Sequence, residues 1–254
     1  MADLHLQAYA DDDLRVPQAW REQPKPALPE ESSDLLQSHL DRAVKGGADL
    51  ILMAGDLFHF PTQENRDLAL TAFESCPIPV KTVPGNHDWF FPGQDGWEDL
   101  RERQLPELKG VFGFNPSYWV DEVNGLRILG LDNSTYFLTR AQCEFLREQC
   151  AQPGPLLVMM HIPLSLPGLR EKVIAKHGNP ILMNDPEGRL REGIDPEPTR
   201  EAVELLRASD SVCGVVAAHV HLEDAREFAP GKMQWIPEAG YRNGFRWLEF
   251  QSTD

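Results

Sequence analysis

Seven side chains able to bind a cation, Asp3, His5, Asp56, Asn86, His161, His219 and His221, fall in five short clusters along the chain. Five of the eight histidines, His5, His87, His161, His219 and His221, lie in these clusters. Imidazole suits transition metals, and carboxylates add the negative charge that draws a divalent ion in. Taken singly, each piece has a plainer reading. Asp3-Leu4-His5 arises by chance, Asp56 caps a helix after a turn, and His161 is a satisfied core histidine. His219 and His221 are two residues apart, which on a strand puts both rings on one face. Gly85-Asn86-His87-Asp88 is the most specific piece. The plainer readings do not produce five clusters placed in order at the ends of apolar runs.

The flanking elements explain that placement. Residues 32–45 predict a helix: Ser32, Ser33 and Asp34 offer N-caps, and Leu35, Leu36, Leu40, Ala43 and Val44 form one apolar face before Gly46-Gly47. Leu50 to Ala54 is apolar on both faces, as in a buried strand, and stops at Gly55-Asp56. Thr62 opens a second helix to about Cys76, and Ile78 to Val83 is a second buried strand ending at Pro84-Gly85-Asn86-His87-Asp88. Asn124-Gly125 marks a hairpin between Tyr118–Val123 and Leu126–Leu131. Thr139 and Gln142 form a capping box for a helix to about Cys150. A strand from Leu156 to Met160 stops at His161, and a helix from Thr199 to Ala208 precedes a strand, Val212 to Ala218, that stops at His219. Residues 226–228, 233–236 and 245–250 read as closing antiparallel strands. Such alternation predicts an α/β layered fold, whose ligands gather beyond the carboxyl ends of its strands. Segments 9–31 and 164–198 fit no element, and loops of that length carry function or move.

Composition narrows the partners. The 254 residues hold 24 basic and 40 acidic side chains, a net charge of −16. That balance disfavours nucleic acid and anionic membranes and attracts cations. No apolar run reaches the roughly 18 residues of a membrane helix, and the opening residues lack a signal-peptide pattern. Cys76, Cys143, Cys150 and Cys213 are scattered. Cys143 and Cys150 would lie two helical turns apart, about 10 Å, too far to bridge. They read as reduced thiols, which predicts a cytoplasmic protein.

Asp3-x-His5, Gly55-Asp56, Gly85-Asn86-His87-Asp88, His161 and His219-x-His221 resemble, in order, the five motifs of the calcineurin-like metallophosphoesterases. The likeness spans nearly the whole chain. It implies a single α/β domain over 1–254, a four-layer αββα sandwich of two mixed β-sheets flanked by helices, with a dinuclear metal site at the strand ends. It implies that Asp3, His5, Asp56 and His221 hold one metal. Asp56, Asn86, His161 and His219 would hold the second, with Asp56 bridging. His87 would contact the phosphate or protonate the leaving group, and Asp88 would orient it. Segment 164–198 becomes a candidate cap or substrate loop. Two ions about 3.5–4 Å apart need a shared carboxylate to damp their repulsion, and a metal-bound water falls from a pKa of about 15.7 towards 7. The expected reaction is hydrolysis of a small phosphate mono- or diester. An imidazole-rich shell favours Mn, Fe, Zn or Co over Mg or Ca.

Several departures bear on this expectation. Asp56-Leu57-Phe58-His59 resembles the repair-nuclease branch, with His59 where the family often has an acid. Ala218 replaces the usual glycine before His219, which a backbone of negative φ tolerates. Only Met1 and Ala2 precede Asp3, against the roughly five residues of a strand, which predicts either a start upstream or loosely held first ligands. A DNA-repair type of nuclease and a non-catalytic interaction scaffold on the same fold are therefore the competing expectations. Further candidates for the cleft are Asp132-Asn133-Ser134, against a simple turn, and His177, Arg170, Lys172 and Arg189 in the long loop. Trp89, Phe90 and Phe91 would form an apolar wall or pack into the core, and Tyr241 and Arg242 would face the same cleft.

Overall fold

The structure is a computed structural model describing residues 1–18, 32–91, 97–188 and 194–251. Residues 19–31 and 189–193, and with them Arg189, lie outside the described residues.

Two sheets carry the site. The smaller pairs β1 (Ile51–Met53) with β2 (Val80–Thr82) in parallel, Ile51 opposite Val80. The larger is six-stranded and mixed, in the order β3-β4-β5-β6-β8-β7. Its strands are β3 (Tyr118–Val123), β4 (Leu126–Leu131), β5 (Leu156–Met159), β6 (Val212–Val216), β7 (Asp224–Ala229) and β8 (Lys232–Ile236). Hairpins β3–β4 and β7–β8 are antiparallel, whereas β4, β5, β6 and β8 run parallel. The first hairpin turns at Asn124 and Gly125, both with positive φ, as the Asn-Gly pair demands.

Alternation along these strands builds the layers. Leu156 and Val158 of β5 enter one core, while Leu157 and Met159 enter another with Ala2, Ala54, Val83, Val216 and Ala218. That second core lies between the sheets and is made largely of small residues, which lets their backbones approach. The outer face of β1 packs Ile51 and Met53 against α1 (Ser32–Lys45) and α2 (Gln63–Ser75). The outer face of the large sheet is covered by α4 (Arg140–Cys150) and α6 (Glu197–Ala208). The result is two sheets between helices.

Local chemistry sets the helix starts. Thr62 accepts a hydrogen bond from the Asn65 N–H, and Thr139 with Gln142 completes a reciprocal capping box. The α1 face is narrower than the pattern suggested, because Val44 is exposed.

The structure corrects four expectations. The first ligands are not loosely held: Met1 to Leu6 are buried and run beside β1 and its extension, with Asp3 N–H donating to Gly55 O and His5 N–H to Asp56 O, each at 3.0 Å. Helix α3 (Trp97–Phe112) was not anticipated, since Pro106 inside it masks its period. The segment 164–198 is not without structure, for α5 (Leu169–His177) lies within it between Gly168 and Gly178. Only Leu169 and Val173 of that helix are buried, too few to announce a periodicity. No strand forms over 245–250; Phe245 and Trp247 instead pack their rings edge to face, 5.2 Å apart.

Candidate metal centre

Five backbone turns deliver the candidate ligands, and three of them are strained. Asp3, His5, Asp56, His219 and His221 all have φ between 49° and 69°, a region side-chain-bearing residues rarely occupy. Such strain persists only where surrounding structure enforces it, and it concentrates at functional sites. Ala218 is not among the residues of positive φ, so its methyl is accommodated.

Glycines permit the approach. Gly85 lies so close to Asp56 that a Cβ there would stand 2.8 Å from Asp56 Cγ and nearer still to its Oδ1 and N. Gly55 has φ +87°, and a Cβ on it would meet His161 Nδ1 at 2.5 Å. The glycines of Gly55-Asp56 and Gly85-Asn86 are thus required by two loops pressed together beneath the ligands.

The convergence forms two groups sharing one carboxylate. Ligand atoms of Asp3, His5, Asp56 and His221 lie within 4.8 Å of one another, as do those of Asp56, His161 and His219. Asp56 Oδ2 stands 3.7 Å from His5 Nε2 and 3.3 Å from His161 Nε2, and so faces both groups. Its Oδ1 accepts the His87 N–H at 2.9 Å, which fixes the carboxylate plane. Asn86 Oδ1 is 3.3 Å from His161 Nε2, beside the second group. His221 Nε2 is 3.7 Å from Asp3 Oδ1 and 3.1 Å from His5 Nε2.

Outer partners aim the rings. The Ala54 carbonyl can only accept, so His161 Nδ1, 2.8 Å away, donates to it and leaves Nε2 as the nitrogen that faces inward. Tyr136 OH is 2.9 Å from His219 Nε2, leaving Nδ1 facing His161 at 3.2 Å. Tyr241 OH is 3.2 Å from His221 Nδ1, leaving Nε2 to face Asp3. Histidines held this way are oriented as metal ligands are, by their second nitrogen. Tyr136 was not found from sequence; it lies 83 residues from His219, and nothing local marks the contact.

Electrostatics fit a cation. Burial, then Asp56, pushes Asp3 up to about 7, whereas Asp56 is held well below the carboxylate range, against burial, by His161 and His87. Burial and neighbouring rings keep His5 and His219 well below the ordinary value, and burial brings His221 to about 4. Burial alone would lower His161, but Asp56 and Asp3 raise it to about 9. Lone pairs 3.1–3.2 Å apart beside two carboxylates call for positive charge between them, and in His161 a proton meets that demand. The donor set suits two transition-metal ions.

The remaining candidates take varied places. His87 is half-buried at the rim, 4.7 Å from the His5 ring, with Nδ1 3.3 Å from the His59 carbonyl. Asp88 is fully buried and accepts from the N–H groups of Phe58 and Gly85, so it braces the loop that presents His87. His59 joins the cluster, 3.4 Å from His5 Nδ1 and stacked 5.0 Å from His87. Asn133 Oδ1 accepts from the N–H groups of His161 and Ile162 and so supports a ligand from behind. Asp132 pairs with Arg101 and Ser134, and Ser134 Oγ accepts from Trp89 Nε1. Trp89 and Phe91 are core residues. Arg170 pairs with Asp185 and Glu187, Lys172 with Asp224, and Arg242 with Glu238, so these charges are engaged within the chain. His177 Nε2 donates to Val220 O at 2.9 Å, acting on the ligand loop's backbone. Among the described residues no helix is long and apolar enough to cross a membrane.

Two sheets between helices, with a His/Asp cluster at their strand ends able to hold a pair of metals, define a class of dinuclear metal-site proteins. Comparison with known proteins makes the assignment specific. The calcineurin-like phosphoesterase family profile matches residues 1–223, and the chain belongs to that family. No curated protein matches it. Among solved structures, a dimetal phosphatase from Danio rerio is similar at 12% identity and TM-score 0.58, covering 95% of this chain and 86% of that one. A purple acid phosphatase from yellow lupin (Lupinus luteus) seeds is similar at 15% identity and TM-score 0.57, covering 100% of this chain and 45% of that one. These two likenesses bear on the fold.

Proposed function

We propose that this chain hydrolyses a phosphate mono- or diester of a small molecule at a two-metal centre held by Asp3, His5, Asp56, Asn86, His161, His219 and His221. The observation that carries this reading is Asp56 Oδ2 facing His5 and His161 at 3.7 and 3.3 Å, one carboxylate oxygen serving both groups. When bound, two divalent ions, Mn, Fe, Zn or Co by the donor set, supply Lewis acidity towards the phosphoryl oxygens and lower the pKa of a coordinated water. The chain's own residues do the rest. His87 N–H and the Gly85–Asp88 turn hold the Asp56 carboxylate in place. The His87 ring, anchored through Nδ1 at the His59 carbonyl, has Nε2 available to hydrogen-bond the phosphoryl group and protonate the leaving oxygen. Scattered free thiols support a cytoplasmic location.

Protein purified without chelator should carry about two transition metals per chain and turn over bis-p-nitrophenyl phosphate with added Mn²⁺. Asp56→Asn should abolish both, and wild-type protein devoid of metal and turnover would sink the proposal. One observation favours a second reading, a nuclease: His59, from the Asp56-Leu57-Phe58-His59 run, stands within the cluster against His5 and His87. The acidic composition opposes it. Cleavage of linear DNA at physiological salt would promote the nuclease over the small-molecule enzyme.

A further inference from the structure

Residues 219–221 place two ligands of different groups on either side of Val220, and both His219 (φ 69°) and His221 (φ 49°) are left-handed. A Val220 N–H to Ala218 O bond at 2.7 Å closes the turn around His219, and further restraint comes from outside it. Asp3 grips one end, its carboxylate oxygens accepting the His219 N–H at 3.2 Å. The other end meets α5. His177 Nε2 donates to Val220 O at 2.9 Å, and Lys176 Nζ donates to Val220 O at 3.3 Å and to His221 O. The Lys176 stem stays at the surface while its ammonium folds over the two carbonyls.

Helix α5 is itself anchored where such a clamp needs it. Leu169 and Val173 are buried in the large-sheet core. Lys172 pairs with Asp224 at 2.9 Å, and Arg226 joins Asp224 to Pro167 O, so the helix brackets the chain from 220 to 226. A helix with lysine in its last turn is favourable in its own right, because a cation offsets the negative end of its dipole. Here Lys176 and His177 direct their donors to another loop's carbonyls.

We propose that Lys176 and His177 are positioning residues for the metal centre, holding the Val220 and His221 carbonyls so that both flanking imidazoles stay aimed at their respective groups. This rests on the two-metal reading above. It gives the segment around 164–188 a role in assembling the centre from behind.

The test is a cobalt(II) titration of the metal-stripped full chain, followed by visible absorption, which reports ligand geometry as well as occupancy. Wild type should bind two ions. Lys176→Met with His177→Leu should weaken binding by about tenfold, as losses behind ligands do, and alter the spectrum. Lys176→Arg with His177→Gln, which restores donors, should recover most of the affinity. The single variants Lys176→Met and His177→Leu, read the same way, serve if the double variant does not fold, each giving part of the loss. Unchanged dissociation constants and spectrum in the donor-less variants, with wild type still binding two ions, would overturn the positioning role alone. A loss shared equally by the donor-restoring variant would also overturn it, since packing would then be the cause. Wild type that binds no cobalt would overturn this role together with the two-metal reading.

Discussion

Replacing Gly85 by alanine adds one methyl and removes no ligand, yet it should dismantle the centre. The added Cβ would sit 2.8 Å from Asp56 Cγ, and closer to Asp56 Oδ1 and N. Ordinary carbon–carbon contact begins near 3.5 Å, so the Asp56 carboxylate must retreat by at least about 0.7 Å. Asp56 cannot do so freely: it is 1% exposed, its φ is 50°, and its Oδ1 is tied to the His87 N–H. Displacement of that size on the one carboxylate facing both groups should weaken metal binding at least about tenfold and cost about 100-fold in turnover. The accompanying overpacking should cost about 1–3 kcal/mol of stability. Gly47→Ala is the control. Gly47 also has positive φ, 74°, but nothing lies within 4 Å of its Cβ position, so about 1–3 kcal/mol of backbone strain should appear with metal binding intact. Metal content by elemental analysis, cobalt affinity and turnover of bis-p-nitrophenyl phosphate read the two variants side by side. If Gly85→Ala bound two ions with wild-type affinity and turned over at the wild-type rate, the close approach of the two loops would not be what builds the site.

Two further outcomes follow from the geometry. His87→Ala should keep its metals, since His87 stands at the rim, while losing about 10²–10⁴ in rate; loss of the metals themselves would show that the ring is a ligand and not an acid. Metal uptake should be pH-dependent with a definite sign. In the metal-free chain His161 is raised to about 9 and Asp3 to about 7, so at pH 7 His161 holds a proton and Asp3 is about half protonated, and a cation must displace both. Binding should therefore release about one to two protons at pH 7 and tighten as pH rises towards 9, flattening above it. Calorimetry in buffers of different ionisation enthalpy measures the release, and its absence would refute the assigned protonation states.

Much of this arrangement was legible in the residues. The 118–131 hairpin and the Thr139 capping box rest on contacts between near neighbours, the strands leading to Asp56, His161 and His219 are marked by their apolar runs, and the structure has them where the pattern put them. Helix α5 was hidden because it buries only Leu169 and Val173, and α3 because Pro106 interrupts it. The 245–250 stretch has the apolar alternation of a strand, but its aromatic rings found partners in each other and in the Gly46 turn, and no ladder formed.

Which residue types could bind metals is a property of composition and spacing, because an imidazole or a carboxylate is a ligand wherever it stands. Whether they meet is not local. His5 and His221 are 216 residues apart and reach 3.1 Å only because both sheets point their strand ends at one place. The choice of ring nitrogen by Ala54, Tyr136 and Tyr241 depends on distant groups in the same way, as does the pressing of Gly85 against Asp56. Orientation of a side chain is set by what packs behind it, and what packs behind these ligands comes from other parts of the chain.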